Sequence, residues 1–304
     1  LTVFQPLIPP DWKMKLREGE LYAQVAFSAA PEQGFEAGGH GVLKGGSAWM
    51  PDNQINGVDF VLPFRFSEGA WQLGTRGPIS LRIAEVVNQV TVKNIAADLQ
   101  GAYPWSENNP LLLSDVSADL LGGKIIMQQL RMPQHDPALL RVQNISSSEL
   151  ISAVNPKQFA MSGPVSGALP LWLDNEKWII KDGWLTNPGP MTLRIDKDTA
   201  YAVVKDNMAA GAAINWLRYM EISHSWTKIN LDNLGVLTMQ STVTGNSRVD
   251  GKVGTVNLNY THEENVFTLW RSLRFGDNLQ AWLEQNAALP ETHCPEGKEC
   301  EEQQ

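Results

Sequence analysis

The sequence predicts a mainly β protein, a long antiparallel meander with few helices. Three observations predict it. Apolar residues recur at every second position in run after run, the pattern of a strand with one dry and one wet face. Clusters of Gly, Asn, Asp and Pro part these runs at short intervals. Helical periodicity is confined to three stretches.

The clearest run is VDFVLPFRF at 58–66, where Val58, Phe60, Leu62, Phe64 and Phe66 share one face and Asp59, Val61, Pro63 and Arg65 the other. Ile79, Leu81 and Ile83 repeat it, and a looser run sets Ile126, Leu130 and Met132 together. After a strand starting at Trp178 come Met191, Leu193 and Ile195, then a strand over 227–231. Leu237 and Met239 belong to a strand over 236–243, Val256 and Leu258 to one over 253–260. Turns are expected at 181–183, 187–190, 232–235 and 249–251, where Gly or Asn/Asp tolerates positive φ. The glycines of GGHGVLKGGS at 38–47 also read as turns, because a phosphate loop needs another order and a strand delivering it.

Of the helices, Asp206 or Asn207 caps a stretch to Met220 with Met208, Ala212, Trp216 and Met220 at four-residue steps. A short one over 147–154 stops before Pro156. Asn265 caps a third, with Val266, Leu269, Trp270 and Leu273 on one stripe and Leu279, Trp282 and Leu283 on a second. Packing against a sheet is the expectation for each; a membrane-surface helix is the alternative.

The chain of 304 residues is long enough for a sizeable core, and the Pro/Asn-rich stretch 102–110 is the candidate joint. The expected division is a β-rich segment 1–110, a β segment with helices 111–290, and an acidic tail 291–304. A start at Leu1 suggests a piece or processed form of a longer protein. With 43% hydrophobic and 19% charged residues it is neither disordered nor a membrane bundle by composition. Crossing a bilayer as a helix takes roughly 20 apolar residues, and no run comes near that. A net charge of -9 without a Lys/Arg cluster argues against nucleic acid.

Both cysteines, Cys294 and Cys300, lie in the tail, suiting a small disulfide loop in an oxidising compartment, with two free thiols as the alternative. His293 would add only a third ligand, so no metal is expected. His40, His135, His224 and His262 are scattered, and Ser166 is off-centre between Gly163 and Gly167 for a nucleophile elbow. No cofactor and no enzyme activity are expected.

An ordered series of motifs adds a resemblance. It runs Leu120-Leu121-Gly122-Gly123, Val142-Gln143-Asn144-Ile145-Ser146, Ser162-Gly163 to Leu171, and Ile180 to Leu185. Asn215-Trp216-Leu217-Arg218-Tyr219, LTMQSTVTG at 237–245, Val256-Asn257-Leu258-Asn259 and ENVFTLWRSL at 264–273 follow. Over roughly 110–290 this order resembles the carboxy-terminal part of YdbH-type members of the AsmA-like family of Gram-negative envelopes, related in design to TamB and YhdP. The resemblance implies an elongated, curved antiparallel half-pipe with an apolar inner groove that carries phospholipid between membranes. It implies an inner-membrane anchor on the parent, a periplasmic location, and a carboxy end near the outer membrane beside a small lipoprotein of YnbE type. A two-chain lipid carries on the order of 30 methylenes at about 0.8 kcal/mol each, so unaided crossing costs over ~20 kcal/mol.

From pattern alone, the alternating rows read as an ordinary sandwich core. With the resemblance, the rows from Val58 to Leu258 named above become groove wall. An open half-pipe leaves an edge for pairing, expected around Val253, Thr255, Asn257, Asn259 and Tyr260, where the lipoprotein would add a strand. Rival readings are an assembly factor holding an outer-membrane protein segment, as for TamB-like relatives, and a scaffold that moves no lipid.

Overall fold

The computed structural model describes residues 2–8, 13–31, 34–51, 53–88, 90–154, 159–195, 218–249 and 251–266. After a 3-10 turn, Thr2–Leu7, come β1 (Lys15–Leu16), β2 (Glu20–Ala30), β3 (Gly34–Met50), β4 (Asn53–Ser67), β5 (Ala70–Leu73) and β6 (Ile79–Val87). Next are β7 (Val92–Tyr103), β8 (Leu111–Leu120), β9 (Gly123–Met132), β10 (Ala138–Ser146), α1 (Ser147–Val154), β11 (Phe159–Ser162) and β12 (Pro164–Leu171). The series closes with β13 (Trp178–Thr186), β14 (Met191–Ile195), β15 (Tyr219–Asp232), β16 (Val236–Val249) and β17 (Lys252–Asn265).

These seventeen strands form one antiparallel sheet. Their pairing is a meander in lanes: β1/β2, β3, β4, β5/β6, β7, β8, β9, β10, β11/β12, β13/β14, β15, β16 and β17. Short strands share a lane, as where β5 and β6 both pair with β4. At about 4.8 Å per lane the stack runs roughly 60 Å across the strands. The stretch 102–110 ends β7 with its first two residues and connects it to β8 with the rest, and the two strands pair with each other.

Local chemistry explains the hairpins and the bends. Glu68-Gly69 and Leu121-Gly122 both take positive φ, as two-residue hairpin turns matching strand twist require. Four register slips in the ladders each contain an Asn or Asp with positive φ: Asn94, Asp115, Asn144 and Asp182. These residues tolerate the left-handed region because their short polar side chains can bond locally. Each slip bends its strand and raises the twist. The expected turn at 181–183 is one of these bulges, so β13 runs unbroken through Asp182.

The glycines at 38–47 are not a series of turns either. Gly38, Gly39 and Gly41 lie inside β3, and only Gly45 takes positive φ, at a bulge opposite β4. A Cβ on Gly39 would sit 3.0 Å from Val25 Cα, so glycine is what lets β2 approach. The helix expected over 147–154 is α1. That expected to end at Met220 falls outside the described residues up to 217, and its last two positions, Tyr219 and Met220, open β15 instead. The third helix, apart from Asn265 and Val266, also lies outside the described residues, as do Cys294 and Cys300 with their expected disulfide.

Where β13 gives way to β14, Asn187 holds the lane together. Its Oδ1 accepts from Ser225 N at 2.6 Å and Ser225 Oγ at 2.9 Å, and its Nδ2 donates to Gly189 O at 2.8 Å. The side chain is 9% exposed, so removing it strands these groups away from water. Asn187→Ala is expected to cost about 1–3 kcal/mol, read as a lower denaturant midpoint at unchanged slope.

Candidate functional site

Antiparallel pairing puts partnered residues on the same face, so the ladders show where each side row leads. One row runs Leu43–Phe60–Leu81–Ala97. Another continues Ile79–Leu99–Leu113–Leu130. Val116–Met127–Leu140–Leu169 carries the apolar face onward, and Leu171–Ile180–Leu231–Leu237 takes it to β16. Met191–Ile222–Gly245–Val256 brings it to β17. Thus apolar rows run along one face from the β2 end of the sheet to the β17 end, where Leu237 and Met239 meet Glu264 and His262 at the strand end.

The other face is polar. Ser80–Asp98–Ser114–Gln129 is one of its rows, and Arg82 pairs with Asp98 there at 2.8 Å. Another passes from Ser117 through Ile126, Arg141, Ala168, Trp184 and Lys228 to Gln240. Trp184 stacks on Trp226 along it, ring centres 5.0 Å apart and 9° from parallel. An open depression of about 1110 Å³ at β2–β4 is bordered by Glu36, His40, Arg65 and Arg76.

Charge perturbation also avoids the apolar rows. His135 beside Glu107, with Arg131 behind it, holds the Glu107 carboxyl below its usual range. The Asn94 amide, then Lys124, does the same for Asp119, and Lys228 for Asp182. A hydrogen bond to Glu20 pushes the Tyr22 hydroxyl up. All four groups are at the surface, where such pairs contribute little to stability.

No second sheet among the described residues covers the apolar face, and most of its side chains are half-buried by their own neighbours. Two patches close further. Met127, Leu130, Met132 and Ala138 pack with Leu113 and Leu140, Met127 and Leu130 each 4% exposed. Met191, Met220 and Ile222 pack with Leu193, Val165 and Val256, Met220 having no exposed surface. Toward one end of the strands lies an aromatic row, Phe27–Ala37–Phe66–Trp71–Tyr103 by register, with Phe66 and Trp71 ring centres 4.9 Å apart.

Val58, Phe60, Leu62, Phe64, Phe66, Ile79, Leu81 and Ile83 all sit on the apolar face, beside Leu130, Met132, Met191 and Leu193. Leu237, Met239, Val256 and Leu258 join them, and Ile195 holds a matching register position opposite Phe159. Ile126 does not join: it pairs with Ser117 and Arg141, while Ile125 and Met127 take the apolar side. Counting back by twos from Leu130 fails because the alternation breaks between the pairs Ser114–Gln129 and Val116–Met127, so that Met127 packs with Leu130 although the β8–β9 register itself is unshifted. In β17, Val253, Thr255, Asn257 and Asn259 pair with Arg248, Asn246, Thr244 and Thr242 on the polar face, and Tyr260 pairs with Ser241. Sequence reading missed Leu43, Leu113, Leu140 and Ile222 on the apolar face; alternation was visible in LLL at 111–113 only as an unbroken run.

Such a face can hold hydrocarbon along its length. Comparison with known proteins agrees with that chemistry. The chain matches, over residues 1–288, the family described as "YdbH-like: Intermembrane phospholipid transport protein YdbH". It is 82% identical over 304 residues to the "Probable phospholipid transport protein YdbH" of Escherichia coli (strain K12). That alignment takes in 100% of this chain and 35% of the relative, so the chain spans about a third of the relative's length. No solved structure matches. With nearly its whole length matched, this chain belongs to the YdbH-like family.

Proposed function

We propose that the chain is a section of a periplasmic bridge that conducts phospholipid between the inner and outer membranes, the tails lying along the apolar face. The observation that carries this is the run of apolar rows along one face across the lanes, with no second sheet among the described residues to pack against it. A sandwich would bury that face against a partner sheet. Left half-open, it replaces water around each methylene, and similar lanes in succession leave no deep trap. Transport of this kind needs no catalytic group or cofactor. The parent protein, in this reading, is anchored in the inner membrane and reaches toward the outer one.

Native mass spectrometry of the purified chain tests the reading. Co-purifying phospholipid is the expected result. Bound peptide would point to assembly of outer-membrane proteins, and an empty chain to a scaffold; either contradicts transport.

The same proposal gives β17 a partner. Among the described residues no strand pairs on its far side from β16. A small outer-membrane lipoprotein of YnbE type would add a strand there, along Val253, Thr255, Asn257, Asn259 and Tyr260, by main-chain hydrogen bonds. Proline at both Thr255 and Asn257 is expected to weaken capture of the lipoprotein at least about tenfold, since each proline brings no N–H. Both alanine substitutions should leave it unchanged in the same pull-down.

A further inference from the structure

The apolar face is not uniform along the stack. No methionine falls between Met50 and Met127, so the face crossing β4 to β7 carries aromatic, branched and small side chains such as Ala97. Beyond it, Met127, Met132, Met161, Met191, Met220 and Met239 all lie on the apolar rows. Two of these lie over glycine. A Cβ on Gly245 would meet the Glu221 carbonyl oxygen and, at 2.8 Å, Met220 Cε; one on Gly163 would meet Pro190 O at 2.6 Å and Met191 Cγ at 2.7 Å. Met220 therefore reaches over Gly245 of the neighbouring strand, within the cluster against which Val256 packs. Met191 is 3% exposed and Met220 0%, although the described strands form a single sheet.

Glycine under a long side chain makes a seat, and the occupant's shape says what else fits. The methionine side chain is an unbranched run of four atoms with soft torsions and a thioether close to a methylene in polarity. It is the natural side chain nearest in form to a stretch of alkyl chain. Leucine or isoleucine would fill a permanent core here with better-defined rotamers.

We propose that Gly163, Met191, Met220 and Gly245 form an acyl-chain seat in which the two methionine side chains stand in for hydrocarbon until a lipid tail displaces them. The inference rests on the lipid-conducting reading above and gives it a located subsite. The exchange replaces apolar contact with apolar contact of the same cross-section, so little net free energy changes as the tail enters or leaves. A tail can then pass the most closed part of the face without being held there. The ligand class is a single acyl chain of a glycerophospholipid, recognised by shape alone.

The test uses the 304-residue chain with 13C-labelled methionine methyl groups, titrated with dihexanoylphosphatidylcholine below its micelle concentration. The Met191 and Met220 signals are expected to shift saturably, while Met50 stays fixed. In parallel, a photo-crosslinker at Phe60 or at Leu258 reports lipid on either side of the seat. Met220→Ile, branched at Cβ and unable to swing, is expected to cut the Leu258 adduct about tenfold, a change of 1.4 kcal/mol, and to spare the Phe60 adduct. If both positions capture lipid in the unsubstituted chain while the two methionine signals never move, the seat is overturned and the groove stands. If neither position captures lipid, the groove reading fails and the seat with it.

Discussion

Phe60→Glu is expected to strip phospholipid from the chain while leaving it folded. Phe60 pairs with Leu43 on one side and Leu81 on the other, in the half-open part of the apolar face. In the lipid-free chain a carboxylate there keeps its water. The fold loses only part of one aromatic burial, about 1–2 kcal/mol, which lowers Tm by a few degrees. An acyl tail crossing the same lane must strip that water, at an effective cost of several kcal/mol. Each 1.4 kcal/mol is tenfold, so occupancy should fall by about a hundredfold or more. Val61→Glu is the control, because Val61 is 40% exposed and pairs with Val42 and Ser80 on the other face. It should alter neither lipid content nor Tm. Equal loss of lipid from both variants would contradict the assignment of faces.

Met220→Asp has the opposite outcome: the fold itself gives way. Met220 has no exposed surface and pairs with Leu193 and Ser247, amid Met191, Ile222 and Val256. None of these neighbours carries a positive charge, so the carboxylate is buried unpaired. The expected cost is about 3–5 kcal/mol, against a total stability of roughly 5–15 kcal/mol for a typical domain. Thermal melts should show a fall of roughly 10 °C or loss of the cooperative transition. Met220→Leu keeps the volume and should cost less than about 1.5 kcal/mol. A folded Met220→Asp with an unshifted Tm would mean that this patch is open to water.

The two variants differ because one face contains both half-open and closed stretches, and that difference was beyond the sequence. Period-two alternation made β4, β6, β14 and β17 legible, together with the side each presents. The two-glycine stretches of β3 hid a strand of 17 residues, since glycine offers no side chain to alternate. Ile126 shows the limit of parity counting: the alternation breaks opposite the left-handed Asp115, so that Leu130 and Met127, three residues apart, pack together and Ile126 is left on the other face. The closing of Met191, Met220 and Ile222 over Gly163 and Gly245 depends on strands far apart in sequence, brought together by the ladders of β14 to β17. The glycines there could be read as room for something, but not for what.

Lengthwise contact with lipid is the most direct measurement of the central claim. A photo-crosslinking residue is placed singly at Leu62, Ile83, Leu113, Leu185 and Leu258 on the apolar face, and at Val61, Arg82 and Thr242 on the polar one. Phospholipid adducts at all five apolar positions and at none of the three polar ones are the predicted result. Adducts confined to one lane, or spread equally over both faces, would contradict a continuous path for acyl chains.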